Sequence, residues 1–281
     1  MLLASAAAQR YGVDEAQAAI RFGEAAKATG AWAGRRLLWL GSEPAFELSF
    51  WCGTCPVLFQ RLEGAKRTLS LAEVQDKLAG GLEDIDPGIV AAFAALLPAA
   101  HYLVMLLQIR PRLTYPVLDG DYFAHEQVAT WGIDGFWGLP ENPRTPYYRT
   151  FETGVAEDAH LYEFVVPMVP PSWNDRDRVE QYSRLLHDGP APAVVAVSTL
   201  DICQPAMDGQ SGDYYEHWAL THFLLDGHHK IEAAAASGRP VQLLSLVSVD
   251  ASLAGERQVA RLPSVRAQRV SRRPRSVRSQ P

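Results

Sequence analysis

Residues 222–247 read HFLLDGHHKIEAAAASGRPVQLLSLV, with an apolar run, a short polar turn, an alanine-rich run and a second apolar run in succession. The run up to Asp226 and the run from Val241 predict β-strands, and HKIEAAAAS predicts a helix ending at Gly238. The DGHHK turn therefore lies where a strand passes into a helix. A helix start presents unpaired N–H groups and the positive end of the helix dipole, so this junction favours an anion such as phosphate.

The residue types in this turn suit such a ligand. Gly227 permits a close backbone approach or a positive φ. His228, His229 and Lys230 can add hydrogen-bond donors and positive charge. Asp226 could cap the helix, hold a histidine tautomer or share a magnesium ion with phosphate oxygens. The ordinary alternative is that the histidines are surface or hydrogen-bonded core residues and that Lys230 is solvated.

The segments before the turn continue an alternation of strands and helices. YEFVVPMV is strand-like, DRDRVEQYSRLLHDG is helix-like and ends at Gly189, and both APAVVAVSTLD and WALTHFLLD are strand-like. With the turn, its helix and the final strand, this order resembles the ParB/sulfiredoxin superfamily over about residues 163–250. HDGPAPAVVAV is similar to the helix-Gly-Pro-strand segment of that superfamily, and LLDGHHKIEAAAASGRPVQLLSLV to its nucleotide-phosphate box.

Departures from the superfamily pattern narrow what the resemblance implies. Sulfiredoxins have a catalytic cysteine where this chain has His228, so we do not expect sulfiredoxin chemistry. ParB proteins continue into a helix-turn-helix domain, whereas only about 30 residues follow the module here. The DGHH form looks more like members that bind ADP or ATP, including free serine kinases, although their box usually ends in Arg rather than Lys230.

The resemblance thus implies a nucleotide-binding protein that uses ATP or ADP with Mg²⁺, and the reaction that it implies is small-molecule phosphotransfer. Gly227, His228, His229 and Lys230 would hold the phosphates, and Asp226 would hold the metal. For phosphotransfer, the catalytic residues would be Asp226, His229 and a carboxylate base. We choose Glu163 as that base, and the other candidates are Glu180 and Asp201. The alternative function is a non-catalytic nucleotide-sensing regulatory or interaction protein.

The first half of the chain predicts an α+β region. Helices are expected over 14–29, over 56–63 after Pro56, after a Ser70/Glu73 capping box, and from Asp86–Pro87 to Leu97. Strands are expected in RRLLWLGS, AFELSFWC and HYLVMLLQIRPRL. The fold class is therefore α/β (α+β), divided as an N-terminal region (1–160), a ParB/sulfiredoxin-like domain (161–254) and a disordered Arg-rich tail (255–281).

Charge is distributed unevenly along the 281 residues. The net charge is −6, but the segment from Arg257 to the end has eight arginines and no acidic residue, which leaves 18 basic and 32 acidic residues in 1–256. An acidic body makes nucleic acid an unexpected partner, while the tail could bind an acidic partner or only aid solubility. The apolar runs are too short for a membrane span and no secretory signal is recognisable, so a cytoplasmic location is expected.

Three cysteines leave three possibilities open. FWCGTCP resembles a thioredoxin active site, in which Cys52 would be the nucleophile and Cys55 the resolving thiol. The pair could instead form half of a zinc site completed by Cys203 or a histidine. The third possibility is that the cysteines pack inertly among apolar neighbours.

Overall fold

The computed structural model describes residues 1–24, 35–133, 143–206 and 215–268. Within these ranges the chain forms twelve β-strands and seven α-helices. The strands are β1 (Leu2–Tyr11), β2 (Ile20–Glu24), β3 (Arg36–Leu40), β4 (Glu43–Leu48), β5 (Phe59–Arg61), β6 (Ala100–Ile109), β7 (Arg112–Thr114), β8 (Tyr147–Ala156), β9 (Ala159–Pro167), β10 (Ala193–Cys203), β11 (Glu216–Asp226) and β12 (Val241–Ser248). The helices are α1 (Gln75–Gly80), α2 (Pro87–Ala94), α3 (Glu126–Trp131), α4 (Arg176–Asp188), α5 (His228–Ser237), α6 (Glu256–Val259) and α7 (Leu262–Ala267).

Two sheets organise the described residues. The large sheet has eight strands in the order β1-β6-β12-β10-β11-β9-β8-β7, and the small sheet has four in the order β2-β3-β4-β5. In the large sheet, β10 pairs with β12 and β11 with β9 in parallel, while its other pairs are antiparallel. Helices combined with a mixed sheet confirm the predicted α+β class.

The core lies on both faces of the large sheet. Side chains that alternate along β6 show this: Val104 packs with the cluster that contains Phe46 and Phe59 of the small sheet, and Met105 packs with the cluster that contains Ile231 of α5. Because both faces are covered, the central strands are apolar along nearly their whole length. The resulting layers are the small sheet with α2, the large sheet, and the helices α4, α5 and α7.

The order of elements predicted for 163–250 is confirmed. β9, α4, β10, β11, α5 and β12 follow one another as strand, helix, strand, strand, helix and strand. The Asp86–Pro87 helix start is confirmed as well, because the Asp86 carboxylate accepts from the N–H groups of Gly88 and Ile89.

Two helices predicted in the first half are wrong. In the predicted helix over 14–29, Ile20–Glu24 forms β2 and pairs with β3, and residues 25–29 lie outside the described ranges. In the segment 56–63, Phe59–Arg61 forms β5 and pairs with β4. Sheet pairing and burial of Ile20 and Phe59 outweigh the helix propensity of their neighbours.

The predicted domain boundaries lie near residues 160 and 254. Residue 160 lies inside β9, which pairs with β8 on one side and β11 on the other, so the large sheet is continuous across that position. The segment expected to be disordered from residue 255 instead begins with α6 and α7. Arg266 of α7 is buried, so part of this arginine-rich segment belongs to the core. Residues 269–281 lie outside the described ranges.

Candidate functional site at the start of helix α5

The backbone at the DGHHK turn requires glycine. Gly227 has φ +94°, in the left-handed region, and carries the chain from β11 into α5. A Cβ at this position would lie 2.4 Å from Cγ1 of Val194 on β10, so the turn is pressed against the sheet. Since glycine has no side chain, α5 begins without a side-chain cap. Its first N–H groups point away from the helix body, as at any helix start.

Asp226 and Lys230 face each other beneath the turn, and both are buried. Lys230 Nζ lies 3.8 Å from Asp226 Oδ2 and donates to the Ala193 carbonyl at 3.1 Å. Burial lowers the pKa of Lys230, and the nearby Asp226 carboxylate opposes that shift. The ammonium is therefore held between α5 and β10, and the alternative of a solvated Lys230 is wrong.

His228 is a buried, neutral histidine. Its Nε2 accepts from the Met168 N–H at 3.0 Å. Burial lowers its pKa to about 3, the main opposing influence being Asp226. A neutral ring that accepts at Nε2 has its proton on Nδ1. Among the described residues Nδ1 has no hydrogen-bond partner, so a buried N–H donor remains unpaired in the first turn of α5.

His229 is the half-buried member of the turn and contacts the start of α4. Its Nε2 accepts from the Asp175 N–H at 3.2 Å. Burial, followed by the nearby positive charge of Arg178, lowers its pKa. Both histidines are thus neutral near pH 7, and the positive charge expected from them comes instead from arginines at the start of α4.

The neighbours contributed by Asn174 and by the start of α4 were not predicted from the sequence. Asn174 Nδ2 donates to the His228 carbonyl at 3.3 Å and to Glu232 Oε2 at 2.7 Å. Arg176 forms an ion pair with Glu232 at 2.6 Å. These contacts bring the starts of α4 and α5 together. Asp175, the N-cap of α4, is the sequence signal that could have marked this second helix start.

Ser70 also reaches the turn, from a segment far away in sequence. Its hydroxyl donates to Asp226 Oδ1, and the neighbouring Leu69 N–H donates to the Leu225 carbonyl at 2.9 Å. The capping box predicted from Ser70 and Glu73 is therefore wrong: α1 begins only at Gln75 and its first turn has no side-chain cap. The Ser70 segment closes one side of the turn.

Glu163 lies elsewhere in the sheet. It is in register with Leu220, six residues before Asp226, or roughly 20 Å along β11. Its fully buried carboxylate accepts from Thr150 Oγ1 at 2.6 Å and lies 2.5 Å from Arg266 Nε. Burial would raise the pKa of Glu163, but Arg266 and its other partners lower it to about 2. The structure therefore does not bring Glu163 to the turn as a base.

The other two carboxylate candidates are also occupied away from the turn. Glu180 is exposed on α4 and pairs with Arg184 at 3.2 Å. Asp201 lies near the far end of β10 and forms a buried bidentate pair with Arg36, at 2.9 and 3.0 Å. Asp175 is an exposed residue next to the turn, and its backbone N–H donates to His229 Nε2.

Within the described ranges, no group of three or more His, Cys, Asp or Glu side chains is arranged to hold a metal ion. None of the helices described is both long and apolar enough to cross a membrane. Comparisons of the chain with models of protein families, with curated proteins and with solved structures found no match.

Proposed function

We propose that the protein binds a nucleotide through its phosphates at the start of α5. The observation that carries this proposal is the unpaired Nδ1–H of His228 in the first turn of a helix without a side-chain cap. A buried donor without an acceptor costs about 1–3 kcal/mol. A phosphate oxygen would remove that cost and would meet the helix N–H groups at the same time.

The charges around the turn support the same ligand class. Arg178 lies close enough to lower the pKa of both His229 and Lys230, and the starts of α4 and α5 meet at His229. His229, the half-buried residue, marks the side from which the ligand enters, because Ser70 closes the side of Asp226. ATP or ADP follows from the resemblance of the DGHHK box to nucleotide-binding members of the ParB/sulfiredoxin superfamily.

Mg²⁺ would enter with the nucleotide. Asp226 Oδ2 has no hydrogen-bond partner among the described residues, and its ion pair with Lys230 is long, at 3.8 Å, so this carboxylate oxygen can serve as a ligand. Magnesium is commonly held by one or two carboxylates together with substrate phosphates and water, which fits a single aspartate. The ion would also offset repulsion between Asp226 and the phosphates.

The contacts of Lys230 and Glu163 favour nucleotide binding without catalytic turnover. Lys230 is held by Ala193 and Asp226, and the predicted base Glu163 is held by Arg266. The protein would then act as a nucleotide-sensing regulator. Phosphotransfer is the second candidate. It is favoured by the exposed Asp175 beside His229, because the Asp175 carboxylate could accept the proton of the hydroxyl that receives the phosphoryl group.

Isothermal titration of the full-length chain with ADP, ATP and CTP, each with and without Mg²⁺, tests the proposal. We expect binding that tightens as the pH falls from 8 to 6, because a bound anion raises the pKa of His229. His229→Ala should weaken binding about tenfold, on the order of the 1.4 kcal/mol of one charge-assisted hydrogen bond. His101→Ala, at an exposed histidine of β6, is the matched control.

Absence of binding for all three nucleotides under every condition would refute the proposal. If binding is found, a steady-state hydrolysis and transfer assay with hydroxyl amino acids separates sensor from enzyme. Turnover that is lost in Asp175→Asn with binding retained would support phosphotransfer, and an inert complex would support sensing.

A further inference from the structure

The CGTC segment forms a tight surface loop between β4 and β5. The helix expected after it is absent, since β5 follows, so its cysteines do not lie at the start of that helix. Gly53 has φ +68° and turns the chain back between the two cysteines. The loop is fastened at its backbone: the Gln204 N–H donates to the Gly53 carbonyl at 2.9 Å, and Trp131 Nε1 donates to the Thr54 carbonyl at 3.2 Å.

The two thiols face each other within this loop. The Sγ atoms of Cys52 and Cys55 lie 2.6 Å apart, with Cys52 exposed and Cys55 partly exposed. Burial alone would raise the pKa of Cys52, but the Cys55 thiol and hydrogen bonds from Thr54 and from the Cys55 backbone outweigh it and lower that pKa. Cys52 is thus an accessible thiol with increased thiolate character, next to a second thiol.

We propose that Cys52 and Cys55 are a reversible dithiol–disulfide site that exchanges with low-molecular-weight disulfides. The Cys52 thiolate attacks one sulfur of the external disulfide, forms a mixed disulfide and releases one external thiolate, which takes up a proton. Cys55 then loses its proton, attacks Cys52 Sγ and releases the second external thiolate. Two protein thiols are oxidised and one external disulfide is reduced to two thiols, so atoms and electrons balance.

This site is separate from the start of α5. The loop is bonded to the chain just past Cys203, whereas Asp226 is in register with Val195 at the other end of β10. The eight residues between those positions span roughly 26 Å. The redox proposal therefore succeeds or fails independently of nucleotide binding.

Cys203 provides the internal control. It is buried, and burial raises its pKa well above the usual thiol value, with Asp201 adding to the shift. A buried thiol of high pKa attacks disulfides and alkylating reagents slowly. Cys203→Ser should leave exchange at the surface pair unchanged.

The test is to incubate the full-length chain in buffers of oxidised and reduced glutathione and to follow it by intact mass and native alkylation. The reduced chain should alkylate rapidly at two thiols. The oxidised chain should lose two hydrogens in mass and resist alkylation at Cys52 and Cys55. Cys55→Ser should stop at a glutathionyl adduct on Cys52, whereas Cys52→Ser should react at least about tenfold more slowly, as expected when an activated thiolate is lost.

Three results would overturn the proposal. The first is that both surface thiols of the wild-type chain still alkylate after equilibration with oxidised glutathione. The second is that peptide mapping finds the bridge at Cys203. The third is that protein purified without added metal contains stoichiometric zinc, and that removing the zinc also makes the protected thiols react with the alkylating reagent. All three are read on the unmutated chain, so misfolding of a variant cannot hide them.

Discussion

Replacing Glu163 by Gln should destabilise the protein strongly, because it leaves the Arg266 guanidinium buried without its anion. The carboxylate and the guanidinium are both fully buried, with Nε 2.5 Å from Oε2. The pKa of Glu163 falls from 4.5 to about 2 in the folded state. A shift of that size corresponds to about 3 kcal/mol of stabilisation at pH 7. Removing one partner of a buried ion pair commonly costs about 3–5 kcal/mol, which agrees with the free energy expected from the pKa shift.

The sign of the pH dependence follows from the depressed pKa. The contribution of Glu163 is fully present above the unfolded value of 4.5 and is lost as the pH falls towards about 2. Urea unfolding of the Glu163→Gln variant should therefore differ from wild type by a constant amount above pH 5. The difference should shrink below pH 4.

The decisive measurement is a double-mutant cycle with Arg266→Met, followed by tryptophan fluorescence in urea. Each single variant should lose about 3 kcal/mol, and the double variant should lose clearly less than the sum, because neither charge is then left unpaired. Arg184→Met with Glu180→Gln is the matched control, an exposed pair for which losses of at most about 0.5 kcal/mol are expected. Additive losses at Glu163 and Arg266 would refute the reasoning.

Two further predictions concern the turn itself. Gly227→Ala should lower the free energy of unfolding by at least about 1–2 kcal/mol because of the left-handed backbone alone, and by more because its Cβ would lie 2.4 Å from Val194 Cγ1. Adding Val194→Ala should recover part of that loss. A Gly227→Ala protein as stable as wild type in urea would contradict this geometry. The folded pKa of His228, about 3 against 6.5, makes stability full above pH 6.5 and lowers it as the pH falls towards 3. Between pH 6.5 and 4.5 the contribution of Glu163 is complete and does not change with pH. In that range His228→Gln should reduce the loss of stability with acid, and parallel curves for the two proteins would show that His228 does not contribute to that loss.

Local signals were sufficient to predict the order of elements from β9 to β12. Asp175 and Gly189 bounded α4, and Gly227 and Gly238 bounded α5, because caps and positive-φ glycines act within a few residues. The segment around Ile20 has an alanine-rich helical composition, yet it pairs with β3. That pairing depends on contacts with another segment of the chain, which the local composition does not predict.

The candidate site was predicted only in part for the same reason. The turn residues are contiguous, so their proximity could be read directly from the sequence. The contacts of Ser70 with Asp226 and of Arg266 with Glu163 join positions 156 and 103 residues apart. The Ser- and Arg-rich stretch that contains Arg266 has the composition of a solvated tail. Only the fold shows that Arg266 pairs with a buried carboxylate.

The position of β12 between β6 and β10 has a consequence for synthesis of the chain. Val241 is in register with Ile109, so β6 and β1 can join the rest of the large sheet only after the ribosome has released the segment that ends at Ser248. Until then β6 presents an apolar strand edge, which is a site for aggregation. Truncated chains that end before residue 241 should therefore accumulate as insoluble material or bound to chaperones, and the complete chain should fold slowly for its size.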